Sequence, residues 1–227
     1  VDPDIIDMQE VLHHQLEVLK TGLPEYTVVG VGREDGKTAG EYAPIFFKQA
    51  KYTLLDQNTF WLCEKPDSVG MVGWDAALTR IATWVKLQDK KTGQILMVVN
   101  THFDHIGTEA RRNSALLIIE KIKEIVGTSP AILTGDFNVS EDWDAYKTIT
   151  NNEFILKDAH KVAGKRTGVD FTYHNFGKIP AEKCEKIDFI FVTPQIRVIS
   201  SYIPFSQLND TLFLSDHNPE IVELEIK

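Results

Sequence analysis

Several things are scarce or absent in this 227-residue sequence, and each shortage narrows what the chain can be. It has only two cysteines, Cys63 and Cys184, outside any C-x-x-C pattern. They are two free thiols or one bridge, and a chain of this length buries enough surface to need neither a disulfide nor a structural metal. No apolar run approaches the roughly 18–20 residues of a membrane-crossing helix. Positive charge is in deficit, with 24 Lys+Arg against 33 Asp+Glu and a net charge of −9. Most non-specific nucleic-acid affinity comes from Lys and Arg neutralising phosphates, so nucleic acid is not favoured as a partner, although a local basic groove stays open. Repeats and low-complexity tracts are missing, and the sequence opens at Val1 without a methionine or a signal peptide. An N-terminal segment is therefore expected to precede it, and the compartment, cytoplasmic or exported, stays open.

What is present is ordinary globular composition, 43% hydrophobic and 25% charged. It suits a single domain over residues 1–227. The run Ala131-Ile132-Leu133-Thr134 stops at Gly135-Asp136-Phe137-Asn138. A short buried strand thus delivers a carboxylate and an amide to a loop, where layered α/β folds tend to place their chemistry. Asp-x-Asn alone is as often a turn or a helix cap. Three further stretches strengthen it: Met8-Gln9-Glu10, Asn100 to His105, and Ser215-Asp216-His217-Asn218-Pro219.

In chain order, Ile5 to Met8 reads as a strand and Val11 to Leu23 as an amphipathic helix with Leu12, Leu16 and Leu19 on one face. Tyr26 to Val31 is a strand and Gly32 to Gly40 a loop. Tyr42 to Lys48 and Tyr52 to Leu55 look like paired strands, with Phe60 to Cys63 continuing the sheet. Pro66 to Asp75 is a loop carrying Trp74. Thr79 to Leu87 and Ile95 to Thr101 are strands joined through the turn at Lys90 to Gly93. Thr108 caps a helix to Val126 that turns Ala115, Ile118, Ile119, Ile122 and Ile125 to one face. The stretch from Asn138 to Gly168 is mixed, mostly helix or loop. Ile187 to Val192, Arg197 to Ile203 and Glu220 to Ile226 are late strands. Many strands with few helices suggest an α+β fold of two packed sheets with helices outside.

Asp188 interrupts the strand Ile187 to Val192, and a lone buried carboxylate needs a partner. It either sits at the strand's exposed end, pairs with a structural Lys or Arg, or holds a histidine tautomer. His217, in a turn before Pro219, is the candidate histidine. Glu10 ends a strand; it points into a cleft or serves the dipole of the helix that follows. His102, Asp104 and His105 are close enough in sequence for zinc. The remaining candidates are Asp, Asn and Glu oxygens, which suit Mg²⁺ or Mn²⁺ better. Arg80 lies inside an apolar strand, paired either with phosphate or in a structural salt bridge.

Met8-Gln9-Glu10, Gly135 to Asn138, Ile187-Asp188-Phe189 and Ser215 to Pro219, in this order, resemble the endonuclease/exonuclease/phosphatase superfamily. That family has the fold of pancreatic deoxyribonuclease, and the resemblance runs from Asp4 to Glu225. It implies a four-layer α/β/β/α sandwich of two mostly antiparallel sheets with helices on both outer faces. It implies Glu10 as ligand of a catalytic Mg²⁺ (or Mn²⁺), with Asp216 completing the metal or water site. Asp136 would orient or deprotonate the attacking water, Asn138 would help position it, and His217, held by Asp188, would contact the phosphate or shuttle a proton. His102 matches a second active-site histidine, Glu41 the acid that orients it, Arg80 a phosphate-contacting arginine, and His105, more loosely, a phosphate-binding position. The family's first strand, which carries a metal-binding asparagine, has no counterpart after Val1.

The activity expected is metal-dependent phosphoester hydrolysis by in-line attack of an activated water, in a monomer, on a small phosphoester such as a sugar phosphate, nucleotide or lipid headgroup. A nuclease of the same superfamily, an inactive binding domain, and a zinc hydrolase on His102, Asp104 and His105 are the alternatives. The loops Gly32 to Gly40 and Pro66 to Asp75 would wall the substrate, with Trp74 as a stacking surface.

Overall fold

Ile45, Phe46 and Phe47 are consecutive and all buried, yet they do not share a core. Phe46 packs beneath a helix with Leu16 and Tyr42, while Ile45 and Phe47 turn the other way, towards Val85, Leu87 and Val98. Side chains alternate across a strand, so a strand covered on both faces reads as an unbroken apolar run. The same division recurs in the strands opposite: Leu96 and Val98 face the Ile45 side, and Met97 and Val99 face a second helical layer.

The computed structural model describes residues 1–127, 129–151, 156–209 and 212–227. The elements are β1 (Ile5–Asp7), α1 (His13–Gly22), β2 (Tyr26–Val29), β3 (Ile45–Lys48), β4 (Tyr52–Trp61), β5 (Ile81–Asp89), β6 (Ile95–His102), α2 (Thr108–Val126) and β7 (Ala131–Asp136). They continue with α3 (Asp144–Thr150), β8 (Lys157–Asp158), α4 (Ala159–Val162), β9 (Lys165–Gly168), a 3₁₀ turn (Ala181–Lys183), β10 (Asp188–Val192), β11 (Ile196–Ile203), β12 (Gln207–Asn209), β13 (Leu212–Phe213) and β14 (Ile221–Ile226). A six-stranded sheet of order β4-β5-β6-β7-β10-β8 forms one inner layer. The other is made of two three-stranded pieces, β1-β3-β2 and β14-β11-β9, with no ladder joining them among the described residues. Pairing is antiparallel except between β6 and β7 and between β11 and β9. Helix α1 covers the β1-β3-β2 piece, and α2 and α3 cover the six-stranded sheet. This is the α+β, four-layer sandwich the sequence led us to expect.

Four local expectations are corrected. The stretches at Tyr42 and Tyr52 do not pair: β3 runs between β1 and β2, and β4 pairs with β5 in the opposite sheet. The short link at Gln49 to Lys51 therefore crosses between layers, and β4 continues unbroken to Trp61. Thr108 is the first residue of α2, not its cap; Gly107 holds that position without a side-chain bond. A distant acid substitutes: Asp75 accepts from the amides of Glu109 (3.2 Å) and Ala110 (2.6 Å). Leu12 is exposed ahead of α1, which buries Leu16 instead. Arg80 precedes β5 and Asp188 opens β10, so neither lies inside a strand. The mixed stretch before Gly168 contains α3, β8, α4 and β9; its residues 152–155 lie outside the described ones. Both cysteines are free thiols.

Candidate active site

Three adjacent strands bring a functional side chain to the same level. His102 closes β6, Asp136 closes β7 and Asp188 opens β10; His102 is the register partner of Asp136, and Asp136 of Asp188. All three alternate in step with Val98, Ile132 and Val192, so they leave the sheet on the side facing the other layer. Gly135 allows the close approach of β6 and β7, because a Cβ there would meet the Thr101 carbonyl oxygen at 2.3 Å.

His217 completes the row from outside the sheet. Its Nδ1 is 2.7 Å from Asp188 Oδ2, and its Nε2 is 3.9 Å from Asp136 Oδ2, which also lies 3.4 Å from His102 Nε2. Burial alone would lower the His217 pKa, but the hydrogen bond to Asp188 and the charges of Asp188, Asp136 and Asp216 push it up to about 9. His102 is held neutral by burial and by Arg80 and Arg33 nearby. Asp136 is raised above the usual carboxylate range, first by burial and then by the Asp188 charge. One histidine is thus charged and one neutral on either side of a reluctant acid.

Asn138 serves Asp136 directly. It sits in the left-handed region (φ 50°), its amide donates to Asp136 Oδ1 at 2.8 Å, and its Nδ2 donates to the Phe103 carbonyl at 3.0 Å. Glu10 is a second left-handed residue (φ 60°) on the opposite layer. Its segment is tied across the sandwich: Gln9 Nε2 donates to Asn100 Oδ1 at 2.7 Å, and Asn100 Nδ2 donates to the carbonyls of Met8 (2.7 Å) and Pro44 (3.0 Å). The Glu10 carboxyl is held above its ordinary range by burial, then by the charges of Glu41 and Asp216. Carboxylates that repel one another this way are a hard-oxygen donor set that a divalent cation would relieve, so the residues fit Mg²⁺ or Mn²⁺. One described group, Asp136, Asp188 and His217, has its donor atoms within 4.8 Å of one another. Asp188 and His217 bond each other there.

Arg80 is buried and divided. Nε reaches Asp104 Oδ1 at 3.4 Å, Nη2 lies 3.1 Å from His105 Nδ1, and Nη1 is buried without a partner. Since the guanidinium only donates, His105 Nδ1 must accept. Asp104 accepts from the amides of Ala77, Leu78, Ile106 and Gly107 as well as Arg80. Its oxygens are thereby committed, and no described group combines His102, Asp104 and His105 as zinc ligands. Glu41 departs from expectation: its Oε2 accepts from Arg33 Nη1 at 2.5 Å, and no hydrogen bond to His102 occurs among the described residues. Glu41 and His102 do line one small cavity with Arg33 and Arg80.

Several site residues were not singled out in the sequence. Thr172 Oγ1 accepts from the amides of Ile187 and Asp188, and its carbonyl accepts from Asn218, so it clamps the Asp188 and His217 segments together. Tyr173 tilts against the His217 ring at 4.9 Å between centroids. Lys186 Nζ donates to the Asp188 carbonyl (2.6 Å) and to Glu220 Oε2 (2.8 Å), and both side chains of that ion pair are buried. Glu220 Oε1 accepts from Ser201 Oγ at 3.2 Å, and that hydroxyl lies 2.8 Å from His160 Nδ1. A lysine directly before a strand was the available signal; Thr172-Tyr173 has no periodicity to mark it.

A family model described as Endonuclease/Exonuclease/phosphatase family matches residues 1–217. The crystal structure of the endonuclease/exonuclease/phosphatase from Bacteroides vulgatus is 64% identical, covers 99% of this chain and 85% of its own, and superposes with a TM-score of 0.96. The mannosyl-6-phosphatase of Bacteroides thetaiotaomicron VPI-5482 is 38% identical, with 98% and 85% covered and a TM-score of 0.91. An uncharacterized protein of Acanthamoeba polyphaga mimivirus is 29% identical over 238 residues, covering 99% of this chain and 87% of that protein.

Proposed function

The chain belongs to the endonuclease/exonuclease/phosphatase family, and on that basis we propose that it is a metal-dependent phosphoester hydrolase acting on a small substrate, a sugar phosphate before any other. The observation that carries this is the row His102–Asp136–Asp188 with His217 bonded to its end. A phosphoester repels an attacking hydroxide, so the cleft must supply positive charge before it supplies a base. His217 is cationic at neutral pH, and Arg80 Nη1 is a buried donor awaiting an acceptor. Both suit the non-bridging oxygens of a phosphate.

Asp136 takes the proton of the attacking water as the new oxygen–phosphorus bond forms. His217 gives a proton to the departing oxygen as the old bond breaks, and Asp188 fixes its tautomer. Asn138 keeps the Asp136 carboxylate oriented. Glu10 and Asp216 would hold the divalent ion, which when bound neutralises phosphate charge. The net charge of −9 argues against a long nucleic acid, and similarity to a mannosyl-6-phosphatase supports a sugar phosphate.

The test is a hydrolysis panel with Mg²⁺ or Mn²⁺ and with EDTA, containing mannose 6-phosphate and other sugar phosphates, bis-p-nitrophenyl phosphate, nucleotides, RNA and plasmid DNA. Sugar-phosphate turnover lost in EDTA is expected. Efficient plasmid cleavage at physiological salt would replace the small substrate with a nuclease one, and inactivity on the whole panel with metal present would remove the hydrolase proposal.

A further inference from the structure

At the start of α2 and α3 lies a larger opening that the mechanism leaves unused. It is an open groove of about 650 Å³ walled by Asp75, Glu109, Arg111, Arg112, Trp143 and Asp144. Its walls come from the first turns of α2 and α3, from Asp75 and from the segment between β7 and α3. The loop leaving β6 passes His105 into α2, and the loop leaving β7 passes Asn138 into Val139 and Trp143.

Trp143 is out of place by local rules. It occupies the cap position before α3, where Ser, Thr, Asp or Asn would bond a free amide, and it makes no such bond. The Arg111 guanidinium stacks 4.9 Å from the indole, and the ring remains 41% exposed. Arg111 itself is only 4% exposed; Nη1 donates to the Asp104 carbonyl at 2.9 Å, Nη2 reaches Thr108 Oγ1 at 3.4 Å, and Nε is buried with no partner. A rigid aromatic plate is thus braced on one side and open to solvent.

Charges of both signs surround it, with acids in the majority. Arg112 is exposed beside the exposed acids Glu109, Asp142 and Asp144. The acids outnumber the arginines and would repel a polyanion, while the guanidinium groups offer donors to an uncharged polar ligand. A sugar ring meets both demands: its C–H face stacks on an aromatic, and each hydroxyl donates to a carboxylate and accepts from a guanidinium. The volume falls within the usual range of small-molecule sites, roughly 300–1,000 Å³.

We propose that the groove between α2 and Trp143 binds a neutral saccharide, the glycan portion of a phosphorylated sugar whose phosphate lies at the catalytic row. The link to catalysis rests on the hydrolase proposal; saccharide binding does not.

The test is therefore a binding experiment on phosphate-free ligands. Neutral trisaccharides of mannose, glucose and N-acetylglucosamine are titrated into the whole protein. The four tryptophan indole N–H signals are followed by NMR, the Trp143 signal being assigned by its loss in Trp143→Phe. The expected result is saturable movement of the Trp143 signal with at least one trisaccharide and not of the buried Trp84 signal, with binding weakened about tenfold in Trp143→Ala, the loss of one stacking contact. No movement with any trisaccharide overturns the proposal, as does undiminished binding by a folded Trp143→Ala variant. Saccharide binding without phosphoester turnover would leave the groove standing and remove only the hydrolase proposal.

Discussion

Asp136 and Asp188 are direct cross-strand partners on β7 and β10, yet only Asp188 is hydrogen-bonded to His217. Two facing carboxylates repel, and the histidine resolves the conflict by fixing the charge on one of them. Asp188→Asn should keep the geometry but remove that charge. The expected outcome is a fall in kcat of about 10²–10⁴, the usual worth of a positioned proton-transfer group, without loss of thermal stability. Near-wild-type turnover would show that the Asp188–His217 pair does no catalytic work.

Asp136→Ala and His217→Ala should each abolish phosphoester turnover while circular dichroism and melting behaviour remain those of a folded protein. Both side chains sit at strand ends or in a turn, not inside an apolar cluster. Appreciable activity in either would transfer the proton-handling role to another residue.

Arg80→Lys keeps one positive charge but loses the fork that reaches Asp104 and His105 together. A rise in KM larger than the change in kcat is expected, because the interaction is with phosphate charge already present in the substrate. An unchanged KM would make Arg80 a purely structural partner of Asp104.

Asp7 gives a pH signature away from the reacting atoms. It is buried, Oδ1 has no partner, and Oδ2 accepts from Thr134 at 2.8 Å. Burial pushes its pKa from 3.8 up to about 7, against the pull of the Thr134 hydroxyl. Between those values the folded state binds more protons than the unfolded state, so stability falls as pH rises through the window. This group alone accounts for about 4 kcal/mol between pH 4 and pH 8. Asp7→Asn should gain stability at pH 8 and little at pH 4, read by urea unfolding at both; equal effects at the two pH values would contradict the assignment.

Lys186→Met leaves Glu220 buried without its cation. Unpaired charges of this kind cost about 3–5 kcal/mol, and chemical denaturation should record a loss of that order. A loss below about 1 kcal/mol would mean that Ser201 alone satisfies Glu220.

The layering was legible because doubly buried strands write themselves as unbroken apolar runs, as at Ile95 to Val99 and Ala131 to Leu133. The Asp188–His217 pair was legible because a carboxylate heading an apolar strand demands a partner, and the structure supplies the expected histidine. The partner of Glu41 was not legible, since nothing in Gly40-Glu41-Tyr42 announces the salt bridge to Arg33. The supposed hairpin at Tyr42 and Tyr52 failed for a similar reason. Two β-rich runs separated by a short link look the same whether the chain turns back on itself or steps into another layer. The cap of α2 could not be read locally, because Asp75 acts from 35 residues away.

One consequence of the broken inner layer concerns how the cleft is held together. Glu10 follows β1 in one three-stranded piece, Asp216 and His217 precede β14 in the other, and Asp136 and Asp188 ride on the continuous sheet. The two residues proposed to hold the cation, Glu10 and Asp216, are thus mounted on separate plates, joined to a common base by side-chain ties such as Gln9–Asn100 and His217–Asp188. Relative sliding of those plates by a fraction of an ångström would detune the chemistry while leaving every strand of the base intact.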